Sequence, residues 1–528
     1  MWKADKTGGV PGDTHEVEYP EKRLTVSPRI LLINPTITSR RSARFPLAVM
    51  SLAAALEPAY ASSIVDGNID RDFVATTLRR ITEECTEVVG VTVMGGPQLC
   101  SAVEVSRAIK QAHPAVVIVW GGYFPTLCPS VALNNGYVDY VVRGQGEVTF
   151  VELVQSLHDN DPGRLPTILG LSWRRDGGVT HNPSRRYSGA PADAPLRCDL
   201  LDDPRAYLGR TYLGRSTVGY QAALGCRFRC TFCGVAAMFR GKTTLPTAAR
   251  MERDLRILKD ELGADSINFY DHNFFDREVD MLPLLEVLAR HALPWWCFAR
   301  ADALLDLSER SWTLVRRSRL RMAYIGAETP SDWLLHDIRK GTRAEQTLEV
   351  VRRCREHGIV PELSFMLAPP QDPEGETERT FEFIRTIKRA HAATEIMLYV
   401  YTPLPPAYDA SEPHRNQVAH GLRDGAGGAL EFPSTPDGWA EPAWVDYWCH
   451  RDAPWVSERL WQRISDFTTV LGCRFPTATD VRSPRWARST LQTLASWRYR
   501  YRRYGRPWEL ALSQRLIHKL HDPRVSGL

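Results

Sequence analysis

From Arg29 onward, short runs of aliphatic and β-branched residues alternate with segments whose apolar residues recur at helical spacing. A strand buried on both faces reads as a continuous apolar run. A chain that alternates such runs with helices is therefore committed to a mainly parallel sheet with helices packed on it. The runs at 30–33, 63–65, 88–91, 116–119 and 137–142 predict strands, and the stretches 47–57, 72–84, 102–112, 125–133 and 149–157 predict helices. Five strands and five helices make a doubly wound α/β domain over residues 29–159. Sheets of this kind bind ligands beyond the carboxyl ends of their strands. Those ends carry Asn34-Pro35, Asp66-Gly67, Thr92 to Gly96, Gly121-Gly122-Tyr123 and Gly144-Gln145-Gly146-Glu147. So many glycines permit a large flat ligand to approach the backbone, although ordinary βα turns also use them.

Residues 160–216 are rich in Pro, Gly, Asp and Arg and read as a linker, with one hairpin at 171–179 turning at Asp176-Gly177-Gly178. A second α/β series follows. Strands are expected at 217–222, 266–270, 295–299, 322–326, 360–366 and 395–401, with helices at 248–262, 279–291, 309–317, 344–357 and 376–390. Six such strands predict an open β/α barrel over 217–408, with its chemistry at the carboxyl ends of the strands. The first of those strands delivers Gly225-Cys226-Arg227-Phe228-Arg229-Cys230-Thr231-Phe232-Cys233-Gly234. With 11 cysteines in 528 residues, the spacing Cys-x3-Cys-x2-Cys arises by chance in about half a percent of shuffled chains. Three thiolates on one tight loop can hold three corners of a 4Fe-4S cluster and leave one iron open to a ligand. A zinc site would need a fourth Cys or His, and none lies nearby. The odd, scattered cysteines do not form a disulfide framework.

The cysteine loop, with an aromatic before its last cysteine, resembles the radical S-adenosylmethionine (SAM) superfamily. Four segments ahead of it extend the resemblance: Phe45-Pro46-Leu47-Ala48, Ile64-Val65-Asp66-Gly67, Val119 to Thr126 and Val142 to Glu147. Together they resemble the cobalamin-dependent radical SAM family, from about residue 29 to 408 and more faintly beyond. The resemblance implies a Rossmann-like cobalamin-binding domain, a partial (β/α)6 radical SAM barrel and three cofactors: a 4Fe-4S cluster on Cys226, Cys230 and Cys233, SAM and cobalamin. It implies SAM contacts from Phe232, Asp271, Asn273, Arg300, Glu328 and Met366. It implies cobalamin contacts from Pro46, Thr92, Met94, Gly95, Gly121, Gly122, Tyr123, Gly144, Gly146 and Glu147. Read without it, Glu328 would bridge to Arg300, and His272 would be a hydrogen-bonding turn residue.

Two departures matter. Where the second barrel strand usually ends in Gly-Gly-Glu for the SAM amino group, this chain has Tyr270-Asp271-His272-Asn273, so Asp271 is the expected substitute. Other cobalamin proteins ligate cobalt through the histidine of Asp-x-His-x-x-Gly after the first strand, whereas this chain has Asn34-Pro35-Thr36-Ile37-Thr38. The remaining histidines of the region are His113, which begins a helix-to-strand turn at the wrong end of the sheet, and His158, with His15 in the polar tail 1–28, so histidine ligation is not expected. A cobalt without histidine is what the methyl-transferring and related radical members of the family imply. The expected activity is methylation of an unactivated carbon of a small, natural-product or lipid-like molecule. Ring formation, rearrangement or oxidation without methyl transfer is the alternative, and a cobalamin or iron-sulfur sensor a distant one.

Residues 409–528 differ in character: eight of the 15 tryptophans fall between Trp439 and Trp508. They predict a mostly helical cap whose tryptophans form its core, with Trp444, Trp448 and Trp455 at near-helical spacing, or alternatively a lid over the substrate. The run Trp497 to Tyr504 interleaves Arg with aromatics, as RNA binders do, but a helix would scatter those arginines, so a solvated terminal helix is expected. A net charge of +4 on 128 charged residues gives no case for nucleic acid or membrane. No apolar stretch near the start reaches the ~20 residues of a spanning helix. The first 27 residues fit neither signal nor transit peptide. A cytoplasmic monomer is expected, with a small-molecule substrate and an external electron donor of the flavodoxin or ferredoxin type.

Overall fold

A computed structural model describes residues 29–175, 177–187, 196–408, 413–424, 427–476 and 485–512. The polar tail 1–28 with His15, and Asp176 in the expected hairpin turn, lie outside the described residues. Two seven-stranded sheets organise the chain.

The first sheet is built from β1 (Arg29–Asn34), β2 (Ser62–Asp66), β3 (Thr86–Thr92), β4 (Val117–Gly121) and β5 (Tyr140–Val142), with β6 (Leu171–Arg175) and β7 (Gly178–His181). Its order is β2-β1-β3-β4-β5-β6-β7, parallel through β5 and antiparallel beyond. The hairpin read as part of a linker thus forms the sheet's antiparallel edge. Strand β5 starts three residues later than expected. Asp139 ends the loop before it, its side chain accepting from the Ile118 N–H while its own N–H donates to the Ile118 carbonyl. The helix expected at 102–112 starts at Pro97, where the missing N–H costs nothing. The helix expected at 125–133 is two, Tyr123–Leu127 and Pro129–Leu133, divided at Pro129.

The second sheet runs β16-β15-β14-β13-β12-β9-β8. Its six parallel strands are β9 (Thr217–Tyr220), β12 (Ser266–Phe269), β13 (Trp295–Ala299), β14 (Leu320–Glu328), β15 (Val360–Leu367) and β16 (Glu395–Val400), and β8 (Leu208–Gly209) adds an antiparallel edge. Between β9 and β12, the two-residue strands β10 (Leu224–Gly225) and β11 (Thr243–Thr244) clip the two ends of the cysteine loop together. Odd-numbered positions of β12 to β15, such as Ile267, Cys297, Ile325 and Phe365, pack into one large core with the surrounding helices. The even-numbered positions therefore face the concave side.

The C-terminal segment does not form a separate core. Trp439 and Tyr447 are buried in the core of the first domain, with Trp444, Trp448 and Trp455 packed against it. Trp444 and Trp448 share the helix Pro442–Trp448, but Trp455 lies beyond its end, so helical spacing does not extend to it. Its indole N–H donates to the Ala368 carbonyl at the end of β15 at 2.9 Å. The helix Arg485–Arg500 is not merely solvated. Arg498 pairs with Glu509, Arg502 pairs with Glu382 on the barrel, and Tyr504 is buried, while Trp497 and Tyr501 remain exposed.

Candidate cofactor and substrate site

The cysteine loop leaves β10 through Gly225, whose positive φ and contact with the Lys242 carbonyl admit only glycine. All three thiols are unbridged, and Cys230 is buried. Burial, reinforced by the neighbouring sulfurs, pushes the Cys233 thiol up to about 11, and burial also raises that of Cys226. Ligation to iron would be what makes them thiolates. Among the described residues no three His, Cys, Asp or Glu side chains converge as a single ion requires. Three thiols on one loop can hold three corners of a cluster, whereas a zinc ion would need a fourth ligand.

Arg300, at the end of β13, reaches this loop. One guanidinium N–H donates to Cys230 Sγ at 3.5 Å, and the guanidinium lies 3.6 Å from the Phe228 ring centroid. The rest of the group is held by Asp302 and by the Lys340 carbonyl. Glu328 does not bridge to Arg300. Its partner is Lys340, at 2.5 Å, with both side chains buried. A β-bulge at Gly326–Glu328 and a φ of +63° at Glu328 turn the carboxylate toward the lysine. A Cβ on Gly326 would fall 2.2 Å from that carboxylate. Lys340 gave no sequence signal, because it stands in a short connection without periodicity.

The other expected SAM contacts divide. Phe232 and Met366 come together around Leu334, Leu335, Ile338 and Tyr401. Asn273 is buried with its Nδ2 donating to the Phe275 carbonyl and its Oδ1 without a partner, an acceptor available to a ligand. Asp271 is engaged within the protein: its Oδ1 accepts from the Ala222 and Ala223 N–H groups at 2.7 and 2.8 Å. That pins the chain three and four residues before Cys226. Burial, opposed by those two bonds, pushes its carboxyl up to about 7. His272 Nδ1 accepts from the Gly225 N–H, and burial lowers its pKa to about 4, so it is a neutral prop for the same loop.

On the first domain, the segment after β1 is tied down without a histidine. The Asn68 side chain accepts from the Ile37 and Thr38 N–H groups, and the Thr36 hydroxyl donates to the Gly67 carbonyl. Asp66 binds Asn34, Asn68 and the Tyr207 hydroxyl. His113 caps the end of the helix Pro97–Ala112, and His158 ends the helix Glu147–His158, both at the opposite end of the sheet. At the carboxyl ends, Ile37, Met94 and Val148 are exposed. Gly144 has a positive φ with open space where a Cβ would stand, and Glu147 Oε2 is buried without a partner. An apolar surface with an open glycine and an orphan acceptor fits the face of a corrin carrying amide side chains. Pro46 is buried at the start of the helix Leu47–Leu56, and Thr92 with Gly121 and Gly122 closes the ends of β3 and β4. Gly146 precedes the helix begun by Glu147. Gly95 differs: the Trp448 indole fills the space its missing side chain leaves.

The two halves meet at the cysteine loop. The Tyr123 ring lies directly on Gly234, where a Cβ would overlap its hydroxyl, and Tyr123 in turn stands edge-on to Trp448. Arg44 lies 3.6 Å from the Tyr270 ring centroid, on the barrel's concave side.

Comparison with known proteins agrees with this geometry. A family profile described as the B12 binding domain matches residues 34–154, and one described as the radical SAM superfamily matches residues 220–384. The uncharacterized methyltransferase PH0819 of Pyrococcus horikoshii is 26% identical over 366 residues, covering 68% of this chain and 76% of that protein. Anaerobic magnesium-protoporphyrin IX monomethyl ester cyclase of Synechocystis sp. is 23% identical over 398 residues, 71% of this chain and 75% of that one. The radical SAM methyltransferase TsrM from Kitasatospora setae, solved with tryptophan substrate and the SAM analogue aza-SAM, shares the fold. It has a TM-score of 0.63 and 18% identity, over 94% of this chain and 99% of that chain. No helix among the described residues is long and apolar enough to cross a membrane.

Proposed function

The chain belongs to the cobalamin-dependent radical SAM enzymes, and from that premise we propose that it methylates an unactivated carbon of a small molecule. When bound, the cluster, SAM and cobalamin supply a carbon-centred radical and a methyl donor. The protein's part is position and exclusion of water. Cys226, Cys230 and Cys233 would hold the cluster, with Arg300 donating to one of its sulfur ligands. Glu328, Lys340, Asn273, Phe232 and Met366 would receive SAM. Ile37, Met94, Gly144 and Glu147 would receive cobalamin. Asp271 and His272 hold the cysteine loop in place from behind.

The observation that carries this reading is the meeting of the two halves. Tyr123, just past the carboxyl end of β4 in the first domain, packs on Gly234 immediately after Cys233. A substrate held in the barrel would thus have the radical source on one side and the methyl donor on the other. The histidine-free segment after β1 supports methyl transfer in particular, since the family resemblance ties the absence of a cobalt-ligating histidine to methyl-transferring and related radical members. The electron would come from an external flavodoxin- or ferredoxin-type protein, and the enzyme would act as a monomer.

The test is reconstituted enzyme with SAM, reductant and substrate. Methyl transfer gives 5'-deoxyadenosine, S-adenosylhomocysteine and a product in which methyl replaces hydrogen. The relationship to the cyclase favours one second reading, and 5'-deoxyadenosine with an unmethylated, rearranged or oxidised product would establish it instead. Absence of 5'-deoxyadenosine altogether would leave only a sensor.

A further inference from the structure

The concave side of the barrel carries a carboxyl group that the cofactors do not explain. Glu362 lies on β15, two even positions below Met366 and on the same face, so it projects inward rather than into the helical core. Register places it beside Tyr324 on β14, which is in turn opposite Phe298 on β13. Its Oε2 accepts the Trp296 indole N–H at 2.9 Å. Among the described residues no cation pairs with it, and Glu395 on the neighbouring strand adds a second carboxyl.

Around it the lumen is aromatic. The Trp296 and Phe298 ring centroids are 4.7 Å apart, those of Phe298 and Tyr324 5.0 Å, and those of Tyr270 and Trp296 5.7 Å. These rings and Glu362 are half-buried, while their neighbours on the other face, Cys297, Ala323 and Leu363, are fully buried. The rings therefore border open space. Asn268, on β12 beside Trp296, has its Oδ1 buried without a partner. The guanidinium of Arg44, 3.6 Å over Tyr270, shows that a ring face in this lumen accepts a cation.

A half-buried carboxyl without a counter-ion either keeps its proton or takes up something positive. Ring faces turned to the same space add attraction for positive charge. Resting on the methyl-transfer reading above, we propose that the floor of the barrel is a substrate subsite for an organic cation: the substrate carries an amine, held by Glu362, and its unsaturated part lies against Trp296, Phe298 and Tyr324. This narrows the substrate away from neutral, lipid-like molecules. Burial pushes the Glu362 carboxyl up to about 7, as expected of an acid awaiting a counter-ion.

The test is isothermal titration of the holoprotein with two probes of one shape, tryptamine and 3-propylindole, which differ by an ammonium in place of a methyl. Tryptamine should bind at least tenfold more tightly. Glu362→Gln, whose amide oxygen can still accept from Trp296, should weaken tryptamine at least tenfold and leave 3-propylindole within twofold. The cluster and cobalamin absorbance of the variant reports that it is folded and loaded. Equal affinity for the two probes, no measurable tryptamine binding, or a preference untouched by Glu362→Gln would overturn the proposal. S-adenosylhomocysteine formation by the wild-type protein is scored separately. Its absence would sink methyl transfer while the cation site stood or fell on the titrations.

Discussion

Glu328 and Lys340 form an ion pair at 2.5 Å in a place where neither side chain keeps more than a tenth of its exposure. Removing one partner strands a buried charge, which costs about 3–5 kcal/mol, whereas removing both is far milder. Glu328→Gln and Lys340→Met should each lower the denaturant midpoint strongly, and the double variant should regain a large part of the loss. With SAM as ligand, the double variant should still show a weakened KM, which separates the pair's part in binding from its part in folding.

The Arg300 N–H on Cys230 Sγ predicts a redox effect. A cationic donor on a cluster sulfur favours the reduced, more negative cluster. Arg300→Met should therefore move the cluster potential downward, read by spectroelectrochemistry, with the cluster absorbance retained. Each single Cys226→Ala, Cys230→Ala or Cys233→Ala should abolish that absorbance and 5'-deoxyadenosine formation, and should leave cobalamin binding in place.

Asp271 predicts a slope of stability against pH. Its folded pKa of about 7 lies above the unfolded value near 3.8, so the folded state binds more protons between them. Stability should fall as pH rises through that window and level off above it, by as much as ~4 kcal/mol from this group. Glu362 contributes with the same sign over a similar window. Asp271→Asn should remove Asp271's share of the slope, measured by urea denaturation from pH 4 to pH 8.

Gly95 predicts a coupled pair. A Cβ there would lie 1.8 Å from the Trp448 ring, so Gly95→Ala should destabilise by about 1–3 kcal/mol. Trp448→Ala creates space for that methyl, and a double-mutant cycle should show positive coupling between the two positions. Independent, additive losses would mean that the indole does not sit in the glycine's cradle.

Cobalt ligation is checked by electron paramagnetic resonance of bound cob(II)alamin. No nitrogen coupling from the protein should appear, and His113→Ala and His158→Ala should leave the spectrum unchanged. A nitrogen signal lost in either variant would contradict the placement of those residues at the far end of the sheet.

The parallel sheets were readable from sequence because strands covered on both faces leave unbroken apolar runs. The range 295–299 matches β13 residue for residue. The cysteine loop was readable because its spacing is chemical. What escaped was pairing between distant segments. Nothing in Ala327-Glu328 names Lys340 as partner in place of Arg300, since a carboxylate accepts from either cation. Nothing in the hairpin's pattern tells whether it wraps as a linker or pairs with β5, because edge strands alternate alike in both settings. The C-terminal tryptophans were visible as a concentration, but composition cannot say whose core they enter.

Trp448 and Trp455 stand within eight residues of each other against the core of the first domain, one filling the space beside Gly95 and the other also donating to the Ala368 carbonyl of the barrel. During synthesis both halves emerge before this pair, so each can fold while its shared wall is still missing. A chain that folds in this order would leave the surfaces these tryptophans cover open until residues 439–455 are made, and cofactors entering before then would meet an unroofed vessel. Delivery of cobalamin and iron to a chain halted before residue 439, compared with delivery to the finished protein, would read that order directly.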